Sequence, residues 1–165
     1  MTTNTHLDSD QDERSSTELL RDLTSGERIV MHVDANDGRL RGRPLTVAER
    51  DDDGTYFFLA RRDADAAFEG EVLLSFTDDK DGNWVSASGV QRVVTDRSIV
   101  ERIWSPMAKA WFDGPDDPEL VALEVSVSEF AWWESPSSRV VRTAKLIKGA
   151  ITGDVDEGGH GRRTV

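Results

Sequence analysis

The chain has 165 residues, which is enough for one domain with a substantial hydrophobic core but short for two. Its formal net charge of -12 repels nucleic-acid phosphates and anionic lipid headgroups, so we expect neither nucleic acid nor a membrane as a partner. Because it has no cysteine, it forms neither a disulfide framework nor a thiolate metal site. The sequence has no apolar run of the length of a spanning helix and its polar start does not resemble a signal peptide, so we expect a cytoplasmic protein.

The two ends of the chain differ in composition from its middle. Residues 1–14 are polar and acidic without hydrophobic periodicity, and residues 154–165 are rich in glycine and charge. Such segments bury too little apolar area to offset the entropy lost on ordering. We therefore expect a disordered acidic tail over 1–14, one folded domain over 15–153 and a flexible C-terminal tail over 154–165.

The predicted elements begin with a short N-capped helix, which the polar residues 15–18 followed by Leu19, Leu20 and Leu23 indicate. Asp-Gly pairs at Asp37, Asp53 and Asp81 then favour tight hairpin turns. Between and after them, runs rich in β-branched and aromatic residues predict strands over 28–33, 40–47, 55–59, 72–77, 84–94 and 121–127. This spacing is typical of an antiparallel meander.

Further helices are predicted after the meander. Ser98 and Glu101 have capping-box spacing, and Ser105 followed by Pro106 suits the first turn of another helix. Over residues 140–151 the apolar side chains recur on one helical face, which predicts a C-terminal amphipathic helix. We expect these helices to cover the ends or sides of the sheet.

Neither a catalytic triad nor a metal site is predicted. The histidines are His6, His32 and His160, none of them spaced as a ligand pair, and two lie in the predicted tails. The acidic run over 51–54 lacks the later glutamate of a calcium loop, and we interpret it as a hairpin turn.

A cluster of arginines interrupts the acidic sequence. Arg39, Arg41 and Arg43 alternate along one predicted strand, while Arg61 and Arg62 follow the next. If the two strands pair, these guanidinium groups approach one rim, where their planar donor forks suit a phosphorylated ligand. The alternative is that they pair with the abundant carboxylates, each exposed pair contributing about 0 to 1 kcal/mol. Both interpretations stay open.

Adjacent aromatic residues form a second candidate feature. Neighbours in a strand point to opposite faces, so Trp132 and Trp133 should place one ring in a core and the other toward solvent, a partner or a ligand. The same argument applies to Trp111 and Phe112. Core or dimer packing and stacking on a flavin ring are the two interpretations.

Several stretches resemble the general stress protein branch of the pyridoxamine 5'-phosphate oxidase-like split barrels. They are GRPL at 42–45, DGTYFFL at 53–59, the segment 84–120 and FAWWES at 130–135. The most specific is W-S-P-x-x-x-A-W-F-x-G-P-x-D-P at 104–118. The resemblance implies a mainly β fold, a six-stranded antiparallel split barrel of the FMN-binding type with flanking helices. It also implies a homodimer that binds FMN in grooves at the subunit interface and carries out flavin redox chemistry.

The resemblance also indicates where a cofactor would bind. Arg43 corresponds to an arginine that lies near the cofactor in relatives, and Pro44 and Leu45 form the adjoining backbone. The remaining predicted cofactor contacts are Phe58, Leu59, Arg61, Arg62 and Trp111. No catalytic acid or base is identified.

The chain departs from its relatives at the flavin phosphate. Leu59 replaces a threonine, Asp63 a serine, and Asp65 or Ala66 a lysine, which predicts weaker phosphate binding. One functional hypothesis is an FMN-dependent oxidoreductase of the general stress protein type. The alternative is a noncatalytic dimeric split barrel that has lost FMN binding and takes another small phosphorylated or flavin-like ligand, or none.

Overall fold

The structure, a computed structural model, describes residues 14–78, 80, 82–134 and 160–165. The predicted helix over 140–151 and most of both predicted tails lie outside these residues. The helices are α1 (Ser16–Thr24), α2 (Arg97–Ile103) and a short 3-10 helix (Pro106–Ala110). The strands are β1 (Ile29–Asp34), β2 (Arg41–Arg50), β3 (Thr55–Arg61), β4 (Gly70–Asp78), β5 (Asn83–Val94), β6 (Leu120–Glu134) and β7 (His160–Thr164).

Six of the strands close into an antiparallel barrel in the order β3-β2-β1-β4-β5-β6, completed by pairing of β3 with β6. The predicted mainly β fold with a six-stranded antiparallel barrel is therefore confirmed. Strand β7 lies outside the barrel on the free edge of β6. The first five predicted strands agree with the observed ones to within three residues at each end, whereas β6 extends seven residues beyond its predicted end at residue 127.

Helix α1 packs on the barrel through its apolar face. The predicted N-capped helix is present, and Ser15 and Glu18 form a capping box, in which each side chain accepts a hydrogen bond from the other residue's backbone N–H. Leu19 and Leu20 are buried among the core residues of the barrel. The hydroxyl of Thr24 lies 2.8 Å from that of the buried Tyr56, which fixes the end of the helix against β3.

The β2-β3 hairpin forms at the predicted acidic turn. The amide of Asp51 donates to the carbonyl of Thr55, and Gly54 has a φ of 86°, which glycine adopts without the strain that a side chain would add. The run over 51–54 is thus a turn, as predicted.

The long strand β5 bends at a bulge opposite β6. Register shifts between Ser88 and Gly89, so that one residue of β6, Ser128, has no direct partner. A Cβ on Gly89 would lie 2.3 Å from the carbonyl oxygen of Ser126. The close backbone approach explains the glycine and agrees with the predicted bend.

A second apolar cluster lies outside the barrel, beneath α2. It contains Phe57, Val100, Ile103, Leu120 and Ala122. Strand β6 is therefore buried on both faces at its start, although its sequence alternation predicts one half-buried face. The predicted capping box of Ser98 and Glu101 is wrong, because Asp96 is the N-cap and accepts from the Ser98 amide at 2.9 Å.

Strand β7 corrects part of the prediction for the end of the chain. Residues 160–164 were expected in a flexible tail, but they pair antiparallel with β6, from Glu129 opposite Thr164 to Trp133 opposite His160. A Cβ on Gly161 would lie 2.5 Å from the ring of Trp132. The strand was not predicted because its sequence is rich in glycine and charged residues. Its stability comes from hydrogen bonding to β6 and not from burial of its own side chains.

Candidate functional site

The predicted arginine cluster lies where the start of β2 meets the end of β3. The two strands pair antiparallel, with Val47 opposite Phe58. Arg41 Nη1 lies 3.9 Å from Asp65 Oδ2, so the start of β2 faces the loop that follows β3. The pairing that the arginine hypothesis required is therefore present, although Arg39 precedes β2 and does not share its face.

Carboxylates accompany the exposed arginines of this cluster. Arg41 contacts both Asp37 and Asp65. Arg61 Nε lies 3.4 Å from Asp63, and its Nη1 lies 4.0 Å from Asp117. Within the described part of the chain, Arg39 and Arg62 are exposed and make no ion pair. The rim therefore consists of alternating charges and carries no concentrated positive charge.

Arg43 differs from the other arginines because it contacts a buried carboxylate. Its Nη2 lies 2.9 Å from Asp34 Oδ2, and the Asp34 side chain is only 3% exposed against 21% for Arg43. Among the described residues, neither Asp34 Oδ2 nor Arg43 Nη1 has an aligned hydrogen-bond partner. The contact is thus an ion pair without the geometry of a hydrogen bond.

His32 and Gln91 form a buried hydrogen-bonded pair beside this ion pair. His32 stands opposite Arg43 in the β1-β2 ladder, and both His32 and Gln91 are fully buried. His32 Nε2 lies 2.8 Å from Gln91 Oε1, while Gln91 Nε2 donates to the carbonyls of Ala66 and Phe68 at 2.8 Å each. The glutamine therefore joins β1, β5 and the loop after β3.

Burial lowers the pKa of His32 below its ordinary value of 6.5, because the charged imidazolium loses its hydration inside the barrel. The hydrogen bond to Gln91 opposes this shift, while Arg43 adds to it. At neutral pH the imidazole is uncharged. The cluster of His32, Asp34, Arg43 and Gln91, which we call the inner polar cluster, then contains one positive and one negative charge.

The other predicted cofactor contacts lie in different environments. Pro44 is exposed on the outer face of β2, whereas Leu45 packs on the barrel core. Phe58 is fully buried in that core, and Leu59 packs against the outer cluster beneath α2. Trp111 is 66% exposed. The structure does not gather these five side chains into one cavity with the arginines, and their roles stay predictions.

Exposed apolar side chains lie on the outer face of the sheet. They belong to Ile29 and Met31 of β1, Trp84 of β5 and Trp133 of β6, which we call the outer apolar patch. Trp84 and Trp133 are directly opposite each other. Small residues lie between the two parts of the patch, as register places Ser75 beside Met31 and Ser86 beside Ala131. The prediction that one ring of Trp132-Trp133 enters a core and the other does not is confirmed.

Sequence analysis did not identify the inner polar cluster. His32 and Asp34 were not singled out, although they share the inward face of β1 with the buried Val30. A histidine and an aspartate at the inward positions of a strand are the signal that was available, because charged residues are rarely buried without a partner.

Among the described residues, no group of three metal-ligating side chains occurs. No described helix is long and apolar enough to cross a membrane.

A closed six-stranded antiparallel barrel with an outer helical cluster defines a split-barrel protein. The chain belongs to the pyridoxamine 5'-phosphate oxidase like family, whose model matches residues 12–157. It is similar to protein bli-3 of Neurospora crassa, with 27% identity over 146 residues that cover 79% of this chain and 70% of the relative. A shorter segment of 55 residues, 33% of this chain, is 34% identical to general stress protein 26 of Bacillus subtilis and covers 39% of it.

Solved structures show the same fold. A Jannaschia structure named for general stress protein 26 has a TM-score of 0.72 at 24% identity, covering 90% of this chain and 98% of its own. The general stress FMN/FAD binding protein of Xanthomonas citri has a TM-score of 0.65 at 26% identity, covering 74% and 90% respectively. The predicted membership in the general stress protein type of this family is therefore confirmed.

The residues at the predicted phosphate position do not fit the phosphate of FMN. Asp63 and Asp65 contact Arg61 and Arg41, so the loop carries carboxylates toward the rim. Arg43, the predicted anchor, contacts Asp34. A phosphate dianion would displace these carboxylates from the arginines and remain beside them, which costs electrostatic free energy.

Proposed function

We propose that the protein is a noncatalytic, homodimeric split barrel of the general stress protein type that does not hold FMN through its phosphate. The observation that carries this proposal is the pairing of Arg41, Arg43 and Arg61 with aspartates. Each of these guanidinium groups has a carboxylate within ion-pair distance. Three of the five arginines of the predicted cluster are therefore paired without a bound anion.

The loss of hydrogen-bond donors and the gain of carboxylates both weaken the binding of a phosphate. A serine and a lysine donate charge-assisted hydrogen bonds of about 1.5 to 3 kcal/mol each to a phosphate, and Asp63 and Asp65 donate none. The exposed ion pairs at Arg41 and Arg61 are weak and yield to an anion more readily, whereas the partly exposed Arg43 is held by the buried carboxylate of Asp34. Arg43, the arginine that matches the family motif, is thus the one least available to a flavin phosphate.

A titration at neutral pH tests this proposal. The purified protein should show no flavin absorbance, and its tryptophan fluorescence should respond no more to FMN than to riboflavin, which lacks the phosphate. Replacing Asp63→Ser together with Asp65→Lys should strengthen FMN binding selectively, whereas Asp52→Lys, at the far end of β3, should not. Tight binding of FMN with clear preference over riboflavin in the unmodified protein would refute the proposal.

An FMN-dependent oxidoreductase is the second candidate. It is supported by the likeness to the Xanthomonas citri protein, which is named an FMN/FAD binding protein. In such an enzyme the flavin supplies the electron transfer, and the protein supplies binding and orientation. The same titration separates the candidates, because this one requires a bound flavin that is reduced by an added nicotinamide cofactor and reoxidised by an acceptor.

The outer apolar patch supports the homodimer. Ile29 is 62% exposed and Met31 44%, and the small side chains of Ser75 and Ser86 beside them would allow a second sheet to approach closely. Exposed apolar side chains grouped on one sheet face are typical of an interface. The overall charge of -12 opposes association, so the contact between two copies has to come from apolar side chains such as those of the outer apolar patch.

Light scattering tests the dimer. The unmodified protein should have twice the mass of one chain, and Met31→Asp should halve it by placing two carboxylates in the interface. The matched control is Leu40→Asp, since Leu40 is 82% exposed in the loop before β2 and outside the patch. A monomer at high concentration, or equal effects of the two substitutions, would contradict this proposal.

A further inference from the structure

The inner polar cluster has more hydrogen-bonding atoms than it uses. Within the described residues, His32 Nδ1, Asp34 Oδ2 and Arg43 Nη1 are buried and have no hydrogen-bond partner. His32 is the cross-strand neighbour of Arg43, and Asp34 follows on the same face of β1. Two acceptors and one donor without a hydrogen-bond partner thus lie on neighbouring positions of β1 and β2, where such buried atoms are rare, although Asp34 Oδ2 keeps its ion-pair contact with Arg43 Nη2.

Gln91 determines which nitrogen of His32 takes up a proton. Because Gln91 Nε2 donates to the carbonyls of Ala66 and Phe68, its Oε1 must be the atom that faces His32. That oxygen can only accept, so His32 Nε2 carries the hydrogen of the neutral ring. Protonation therefore occurs at Nδ1, the nitrogen without a partner.

We propose that Arg43 is an oxyanion site controlled by His32, in which protonated His32 takes over Asp34 and leaves the Arg43 guanidinium to bind a small oxyanion such as sulfate or dihydrogen phosphate. The neutral cluster contains the charges of Asp34 and Arg43, which balance. A proton on His32 gives the cluster a net positive charge, and a bound anion compensates it. Proton uptake and anion binding are thus thermodynamically coupled.

Exposure determines which member of the cluster meets the anion. The Arg43 side chain is 21% exposed, whereas His32 and Asp34 are buried, so only Arg43 reaches solvent. The described groups that face His32 are Asp34 of β1, Arg43 of β2, Gln91 of β5 and the ring of Phe68, while its neighbour on β4 is Leu74. Asp34 is the only carboxylate among them, which makes it the partner for both cations.

The test measures sulfate binding by thermal shift and calorimetry, since the charge of sulfate does not change over the range used. Affinity should rise between about pH 7.5 and about pH 5, by at most about tenfold per pH unit, the limit for uptake of one proton. His32→Gln, which keeps a donor toward Gln91, should abolish this rise. The matched control, His160→Gln on the exposed face of β7, should leave it unchanged.

Asp34→Asn supplies a second variant that keeps the size of the side chain. Arg43 then lacks its carboxylate at every pH, so sulfate should bind without pH dependence and more tightly at neutral pH than in the unmodified protein. NMR titration of the His32 ring gives an independent measurement, because coupling is reciprocal and sulfate should raise the pKa of His32. The variants and the unmodified protein are compared by circular dichroism to establish that each is folded.

Three outcomes would overturn the inference: a sulfate affinity independent of pH, a pH dependence that survives His32→Gln, or a His32 pKa that sulfate does not move. The inference uses the same pairing of Arg43 with Asp34 as the proposed function, but the two fail separately. Tight FMN binding at neutral pH refutes the proposed function. Sulfate measurements in acid refute the coupling.

Discussion

The two faces of strand β1 reverse the usual distribution of side chains. Inside the barrel lie His32 and Asp34, with relative exposures of 0% and 4%, whereas Ile29 and Met31 lie outside at 62% and 44%. Burial of charged groups and exposure of apolar groups both cost free energy unless each finds a partner. This reversal underlies both proposals made above, in which the inner face binds an anion and the outer face packs on a second copy of the chain.

The inner face depends on hydrogen bonds, and Gln91 makes three of them. Gln91→Leu should lower the free energy of unfolding by about 3 to 5 kcal/mol, because it leaves two carbonyls and His32 Nε2 buried without partners. The neighbouring substitution Arg92→Leu removes only an exposed ion pair with Glu124 and should cost less than about 1 kcal/mol. Denaturant unfolding measures both, and similar losses would show that Gln91 does not hold the cluster.

The inner arginine should matter more for stability than an arginine of the rim. Arg43→Ala leaves the buried Asp34 carboxylate without its cation and should destabilise the fold by about 2 to 4 kcal/mol. Arg61→Ala removes contacts with exposed or partly exposed aspartates and should cost less than about 1 kcal/mol. If chemical denaturation gives equal values, Asp34 and Arg43 do not interact as the structure indicates.

Trp132 of β6 lies on the inner face of its strand, and Gly161 of β7 packs against its indole ring. Gly161→Ala should cost about 1 to 3 kcal/mol, since its Cβ would lie 2.5 Å from the indole ring. Gly114→Ala is the matched control, because no atom lies within 4 Å of its Cβ position. Hydrogen exchange should show faster exchange of the β7 amides in the first variant alone. Protection of β7 equal to that of the unmodified protein would contradict the observed packing.

The smallest expected effect is the pH dependence that His32 gives to folding. Its pKa is lower in the folded chain than the ordinary 6.5, so the unfolded chain takes up the proton first as pH falls. Stability should therefore be complete above pH 6.5 and fall below it, by at most about 1.4 kcal/mol per pH unit, until folded His32 also protonates. His32→Gln should flatten this part of the profile, and an unchanged slope would exclude His32 as its source.

The strands and turns of the barrel could be predicted from sequence because each depends on residues that are close together along the chain. The Asp-Gly turn at Gly54 and the strand run along β6 each depend on neighbouring residues, and both elements formed, although β6 is buried on both faces at its start. The inner polar cluster could not be predicted in the same way, since His32 and Gln91 are 59 residues apart. Pairing of Arg43 with Asp34 likewise requires the register of β1 and β2, which the sequence does not specify.

Family resemblance located the arginines but not their partners. Motif similarity identified Arg43, while the carboxylates that contact the arginines come from the end of β1, the loop before β2, the loop after β3 and the turn before β6. Aspartates are common throughout this acidic chain, so composition could not distinguish these from the solvated ones. Only the fold brings them within ion-pair distance of the guanidinium groups.

Strand β7 also has a consequence for solubility. Strand β3 pairs with β6 only as far as Ser126, and β7 takes up the backbone groups of β6 from Glu129 to Trp133. Without β7 this segment, rich in aromatic residues, would be an open edge on which strands of other molecules could add. The edge that β7 presents instead is five residues long and carries Arg162 and Arg163. A short, charged edge discourages strand addition, so β7 protects the folded protein from aggregation.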